Sequence, residues 1–294
     1  MNRGYAYRER LGPQAAGRTV LDWLSERHPH SDRVTWVARI AAGQVTLGGE
    51  TASATDLLAA GESLVWHRPA WSEAQVPLAF AVLFRDRHLL AVAKPRGLPC
   101  VPNGGFLEHT LLRRVRRLFP EAVPLHRLGR GTSGLVLFAL SRAARRAVAA
   151  DWREGRVEKE YRALLSGRPA QDAFTVDVPI GPVPHPRLGA VHAASARGRA
   201  AVSHARVIAA RGGDTLVSVT IVTGRPHQIR IHMAAAGHPL VGDPLYVAGG
   251  GTSPEPGLPG DGGYWLHAWR LALTHPATGG RLVLECVPPP VLRG

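Results

Sequence analysis

From residue 79 to its end the chain is a succession of short apolar, β-prone runs cut by glycine and proline, and no other feature limits its fold so much. The runs are AFAVLFRD (79–86), HLLAVAK (88–94), GLVLFAL (134–140), EYRALLSG (160–167), VSHARVIAA (202–210), TLVSVTIVTG (215–224) and RLVLECVP (281–288). Bounded by turn residues, they read as strands. Helical patterns fall between them at Leu111–Phe119, Arg142–Trp152 and Pro226–Ala236. Strands dominate and do not alternate regularly with helices, so the expected class is α+β: a mixed, mainly antiparallel sheet with flanking helices. Residues 249–263 (GGGTSPEPGLPGDGG) are expected to be a mobile surface loop, a lid at most. No apolar run approaches the roughly 18 residues of a membrane span, so no membrane partner is expected. The basic N-terminus MNRGYAYRERLG precedes no apolar segment, and two cysteines, Cys100 and Cys286, cannot form a disulfide framework. The cytoplasm is the expected location, and a monomer the expected state.

Residues 1–70 have a different pattern. VLDWLSERH (Val20–His28) places Leu21, Trp23 and Leu24 on one helical face, and RVTWVARIAAG (Arg33–Gly43) is a second helical pattern closed by a glycine. QVTLGGET then sets Gly48 and Gly49 between β-prone runs, a hairpin signal, and one more strand leads to Pro69. Two short helices followed by a hairpin resemble the S4 RNA-binding module. The expected organisation is an S4-like α+β module over 1–70, a linker over 71–78 (WSEAQVPL), and a second domain over 79–294.

Charge points to the partner. Thirty-six Lys and Arg against twenty-two Asp and Glu give a formal +14. Such an excess suits a polyanion, because each phosphate contact releases a counterion and steers encounter. Genome-wide arginine bias would raise the same count, so charge favours nucleic acid without deciding it.

Four stretches carry polar and cationic residues in places a core does not need them. AVAKPRGLPC (91–100) is a strand ending in Lys94. HRLGRGTSGLVLFAL (126–140) is a loop of His126, Arg127, Gly129, Arg130, Thr132 and Ser133 that runs into an uninterrupted apolar strand, so its polar groups are held on a rigid edge. VEKEYRALLSG (157–167) carries Lys159 and Tyr161. TGRPHQIRIHMAAAGHPLVGDPLY (223–246) interleaves Arg225, His227, Gln228, Arg230 and His232 with apolar residues. Its histidines invite a zinc site, but no Cys or carboxylate completes a set at metal spacing, so no metal is expected. WLHAWRLALTHPATG (265–279) follows.

In content and order these stretches resemble the RluA-type RNA pseudouridine synthases, which modify ribosomal and transfer RNA. The family pattern reads H-R-L-D-x-x-T-S-G, then K-x-Y-x-A, then T-G-R-T-H-Q-I-R-x-H with G-D-x-x-Y, then L-H-A. The resemblance implies cofactor-free isomerisation of uridine to pseudouridine in RNA. The uridine must leave any helical stack, and its N1–C1′ bond is broken and remade through C5. It further implies that Arg127 supports the flipped nucleotide, Tyr161 meets the base, and Arg230 pairs with the family's aspartate. Lys94, His126, Arg225, Gln228 and His232 would contact substrate RNA or shape the pocket. The aspartate itself maps to Gly129, and no Asp or Glu lies between Glu121 and Asp151. Three consequences stay open: an active enzyme with a carboxylate from elsewhere (Asp243 and Asp151 being candidates), an inactive relative acting as an RNA clamp or chaperone, or an introduced substitution. A buried Arg230 needs a replacement anion or access to water. A side chain at 129 would fit if the backbone there does not demand a positive φ.

Overall fold

The N-terminal segment opens with a strand that alternates exposed and half-buried residues. In the computed structural model, which describes residues 1–28 and 31–294, the chain divides into two units. One comprises Met1–Glu73 with His185–Gly189, the other Ala74–Pro184 with Ala190–Gly294. In the first, β1 (Tyr5–Arg10), α1 (Val20–Arg27), α2 (Arg33–Ala41), β2 (Val45–Leu47), β3 (Glu50–Thr51) and β4 (Ser63–Arg68) form a sheet in the order β1-β4-β2-β3 beside two helices. Thr19 caps α1 by accepting from Asp22 N, and Asp32 caps α2 by accepting from Thr35 N. Gly48 and Gly49, both at positive φ, turn β2 into β3. The core is Val20, Trp23, Leu24, Trp36, Ile40 and Leu64, all nearly inaccessible. The strand β1 is the element whose sequence gave no warning: YAYRER is half charged, and only pairing with β4 makes it a strand.

The second unit is built on β5 (Ala81–Arg85), β6 (Leu89–Lys94), α3 (Leu111–Arg116), β7 (Val123–Pro124), β8 (Ser133–Ala139), α4 (Arg142–Arg153), β9 (Glu158–Ser166), β10 (Ala173–Val176), β11 (Ile180–His185), β12 (Gly189–Ala194), β13 (Ser203–Arg211), β14 (Asp214–Ile221), α5 (Gln228–Ala235), β15 (Leu266–Thr274) and β16 (Arg281–Glu285). Ten strands make one sheet, with the path β10-β13-β14-β9-β15-β8-β6-β5, β16 added on β15 and β7 on β8; β11 and β12 form a separate hairpin. Among the described residues, only β8 and β15 pair in parallel. The mixed, mainly antiparallel α+β architecture expected from the sequence is what the chain adopts.

The uninterrupted apolar character of β8 has a direct cause: both faces are covered. Leu135, Leu137 and Ala139 face the core that α4 closes with Ala144 and Val148. Val136 and Phe138 face the core that α3 closes with Leu111 and Val115. Helix α5 covers the other half of the sheet with Ile229 and Met233.

At the head of β8 two backbones nearly touch. Gly134 has φ +113°, and a β carbon there would collide with the backbone of Ala268, its parallel partner. Beside it His267 joins three segments: its Nδ1 accepts from Ser133 Oγ at 2.9 Å, and its Nε2–H donates to Cys286 O at 2.8 Å. The loop before β8 therefore starts from a fixed edge.

Candidate active site

Polar contacts hang the loop 126–132 from its neighbours. His126 Nε2 accepts from Leu137 N at 3.0 Å, and the ring stacks on Trp152 at 4.9 Å. Burial, with Lys159 close by, pulls its pKa down to about 4. Lys94, 2% exposed, donates from Nζ to the carbonyls of Pro95, Leu98 and Arg130. Burial lowers its pKa to about 8, while three carbonyl acceptors favour the ammonium. Gly97 N also donates to Arg130 O, and Leu128 N to Cys100 Sγ. Neither Lys94 nor His126 lines the cleft. Expected to contact RNA, Lys94 spends its ammonium on three backbone carbonyls and His126 spends Nε2 on one backbone amide, so both tie the loop to its neighbours.

The loop opens onto a cleft of about 100 Å3 whose walls include Arg127, Gly129, Tyr161, Arg225, Arg230 and Tyr264. Five of these, all but Tyr264, come from stretches singled out by sequence, and the sheet brings them together. Tyr161 lies on β9, where burial pushes its pKa up to about 12. Arg127 is exposed and has no hydrogen-bond or ion-pair partner among the described residues.

The 223–232 segment divides sharply. Gln228 lines the cleft, but its amide is spent: Oε1 accepts from Thr223 Oγ1 and Arg225 N, and Nε2 donates to Val202 O and Ser203 Oγ. Through these four bonds its amide shapes the loop. His232 is fully buried, bonded to Ser203 Oγ and Val178 O, and does not reach the cleft. Its expected substrate contact is thereby corrected to a structural one. His227, at φ 55°, is the single described non-glycine residue in the left-handed region. Tyr246 donates to His192 O, so its oxygen accepts from His227 Nδ1–H at 2.7 Å. Burial, with Arg230 nearby, lowers the His227 pKa to about 3, so it stays neutral.

Arg230 is 2% exposed and already has its anion. Nε and Nη2 each donate to Asp243 at 2.7 Å, and Nη1 donates to Pro259 O at 3.1 Å. Burial is the largest influence and opposes its charge, but the Asp243 hydrogen bonds, together with the electrostatic influence of Tyr264, Asp243 and Tyr246, outweigh it and hold its pKa above the usual value. Asp243 in turn accepts from Leu245 N and Tyr246 N. It answers the guanidinium and has little capacity left for chemistry. Asp151 pairs with Arg156 and lies outside the cleft.

The loop 249–263 is anchored, contrary to the expected mobile surface loop. Pro259 is held by Arg230, Asp261 lies 3.8 Å from Arg130, and Gly257 N donates to Pro244 O. Tyr264 at its end was missed; an aromatic pair, Tyr264-Trp265, directly after a glycine run was the signal available. Among the described residues no cluster of His, Cys, Asp and Glu could hold a metal ion, and no helix is long and apolar enough to cross a membrane.

Comparison with known proteins accounts for this assembly. Residues 88–235, which include the 126–132 loop, Tyr161 and Arg230, match the family model for RNA pseudouridylate synthase. An RNA pseudouridine synthase of Synechocystis sp., slr1592, is 42% identical over 93% of this chain and 95% of its own length. RNA pseudouridine synthase 5 of Arabidopsis thaliana is 33% identical over the whole of this chain and 95% of its own. Among solved structures, human RNA pseudouridylate synthase domain containing 1 superposes with a TM-score of 0.57 at 26% identity, covering 74% of this chain and 87% of that one.

Proposed function

The chain belongs to the RNA pseudouridylate synthase family, and from that premise we propose that it isomerises uridine to pseudouridine in a structured ribosomal or transfer RNA. The observation that carries this is the cleft itself: an unpartnered Arg127 at its edge and Tyr161 within it, both set by a rigid strand edge. Arg127 supports the nucleotide once it leaves the stack, and Tyr161 meets the uracil face. Arg225, whose Nε is held by Ala200 O, lines the same cleft. Arg230 fixes the wall through Asp243. In this reading the isomerisation, which leaves the substrate's composition and oxidation state unchanged, proceeds without a cofactor.

The segment before residue 71 reads as an S4-like RNA-binding module, with 71–78 as linker and 79–294 as the catalytic domain. Its two-helix and hairpin content supports this reading. The cytoplasm is the matching location, with RNA as partner and the single chain as the working unit.

Pseudouridine mapping of RNA from cells with and without the gene tests the function. The expected result is one or more pseudouridines that vanish on deletion and return with the gene; identical maps would overturn it. A second reading has a specific observation in its favour. Gly129 supplies no carboxylate, and Asp243 is committed to Arg230, as an RNA clamp without turnover would tolerate. Identical maps together with tight, salt-sensitive RNA binding would select that reading.

A further inference from the structure

Tyr264 is 1% exposed and lines the same cleft as Arg127 and Tyr161. Its side chain lies against two glycines of the 126–132 loop. A β carbon at Gly129 would stand 3.0 Å from the phenol oxygen. One at Gly131 would stand 2.8 Å from two ring carbons and 3.0 Å from that oxygen. Neither glycine has a positive φ, so the backbone does not demand glycine at either position. Tyr264 does. The phenol oxygen is 3.2 Å from Thr132 Oγ1, a third member of the loop. Its ring is 4.1 Å from the Arg230 guanidinium, which Asp243 and Pro259 hold still.

We infer that Tyr264 stands in for a side chain at residue 129, and that its hydroxyl, held by Thr132, is the polar group that meets the target nucleotide there. The inference rests on the proposed function and adds a residue to it. A phenol beside a threonine hydroxyl donates one hydrogen bond while accepting another. That pair can serve a ribose hydroxyl or a uracil carbonyl without carrying charge into a buried site. The glycines at 129 and 131 are then not lost functional positions. They make room for the tyrosine.

The test uses the full chain and tritium release from RNA labelled at C5 of uridine. Tyr264→Phe keeps the ring and removes only the hydroxyl, so kcat should fall about 10²-fold with KM and the thermal midpoint near the parent's. Gly129→Asp alone sets its β carbon against the hydroxyl and should lower turnover. Combining Gly129→Asp with Tyr264→Phe removes that conflict and returns a polar group, so turnover should exceed that of Tyr264→Phe by about tenfold or more, a coupling that independent sites do not show. Turnover of Tyr264→Phe within about threefold of the parent, or losses that simply multiply in the double variant, would overturn the inference. A packing role alone would lower the thermal midpoint and spare kcat. An active parent indifferent to Tyr264→Phe removes this inference only, whereas a parent that binds RNA and never releases tritium removes the proposed activity with it.

Discussion

Asp243→Ala leaves a guanidinium buried without its anion. Breaking such a pair from one side costs about 3–5 kcal/mol, and both side chains here are at most 2% exposed. The variant's urea midpoint should fall accordingly, and adding Arg230→Met should recover part of the loss. His126 offers a second test at this scale. Its folded pKa is about 4, below the ordinary 6.5. Between those values the unfolded chain takes up a proton that the folded chain refuses, so this histidine removes stability as pH drops from 6.5 towards 4 and adds no further loss below. Urea midpoints at pH 7 and pH 5 should diverge less in His126→Gln, whose amide oxygen can still accept from Leu137 N. The types of these residues were plain in the sequence; their jobs were not. Lys94, His126 and His232 sit in cationic motifs, but whether such a group faces RNA or a carbonyl depends on which backbone passes beside it, and that is set by strands far away in the chain.

At the scale of elements, the junction of β8 with β15 is the most exacting. Gly134→Ala would need both a positive φ and space already filled by the Ala268 backbone. Loss of soluble, folded protein is the expected result, measured by circular dichroism and expression yield, with no gain at low temperature. The seven apolar runs of the second unit each became part of a strand, and all three helical patterns became helices. Periodicity and turn residues suffice for that. Strands β10, β11, β12 and β15 were harder. Segments such as FTV and GAVHAA are short and mixed in polarity, and only hydrogen bonding to a neighbour makes them strands. The joint itself was legible only as the motif T-S-G, which says that a glycine is needed without saying what approaches it.

For the molecule as a whole, the excess of +14 charges should govern affinity. RNA binding should fall steeply with salt, by roughly 10³–10⁵ between 50 and 200 mM if about 6–10 phosphates are contacted. Filter binding across that range checks it, and a flat response would argue against a backbone-tracking surface. The anchored loop has a consequence for where the chain tolerates length. Pro254 and Glu255 are exposed, whereas Pro259 and Tyr264 are tied to the pocket wall. Each doubling of a flexible loop adds only about 0.6 kcal/mol of closure entropy. A short peptide tag spliced between Pro254 and Glu255 should leave folding and turnover intact. One extra residue between Pro259 and Tyr264 should abolish turnover, because either the carbonyl leaves Arg230 or the phenol leaves the glycines. Variation in chain length is thus confined to the stretch around Pro254 and Glu255, and the segment from Pro259 to Tyr264 works as a spacer of fixed size.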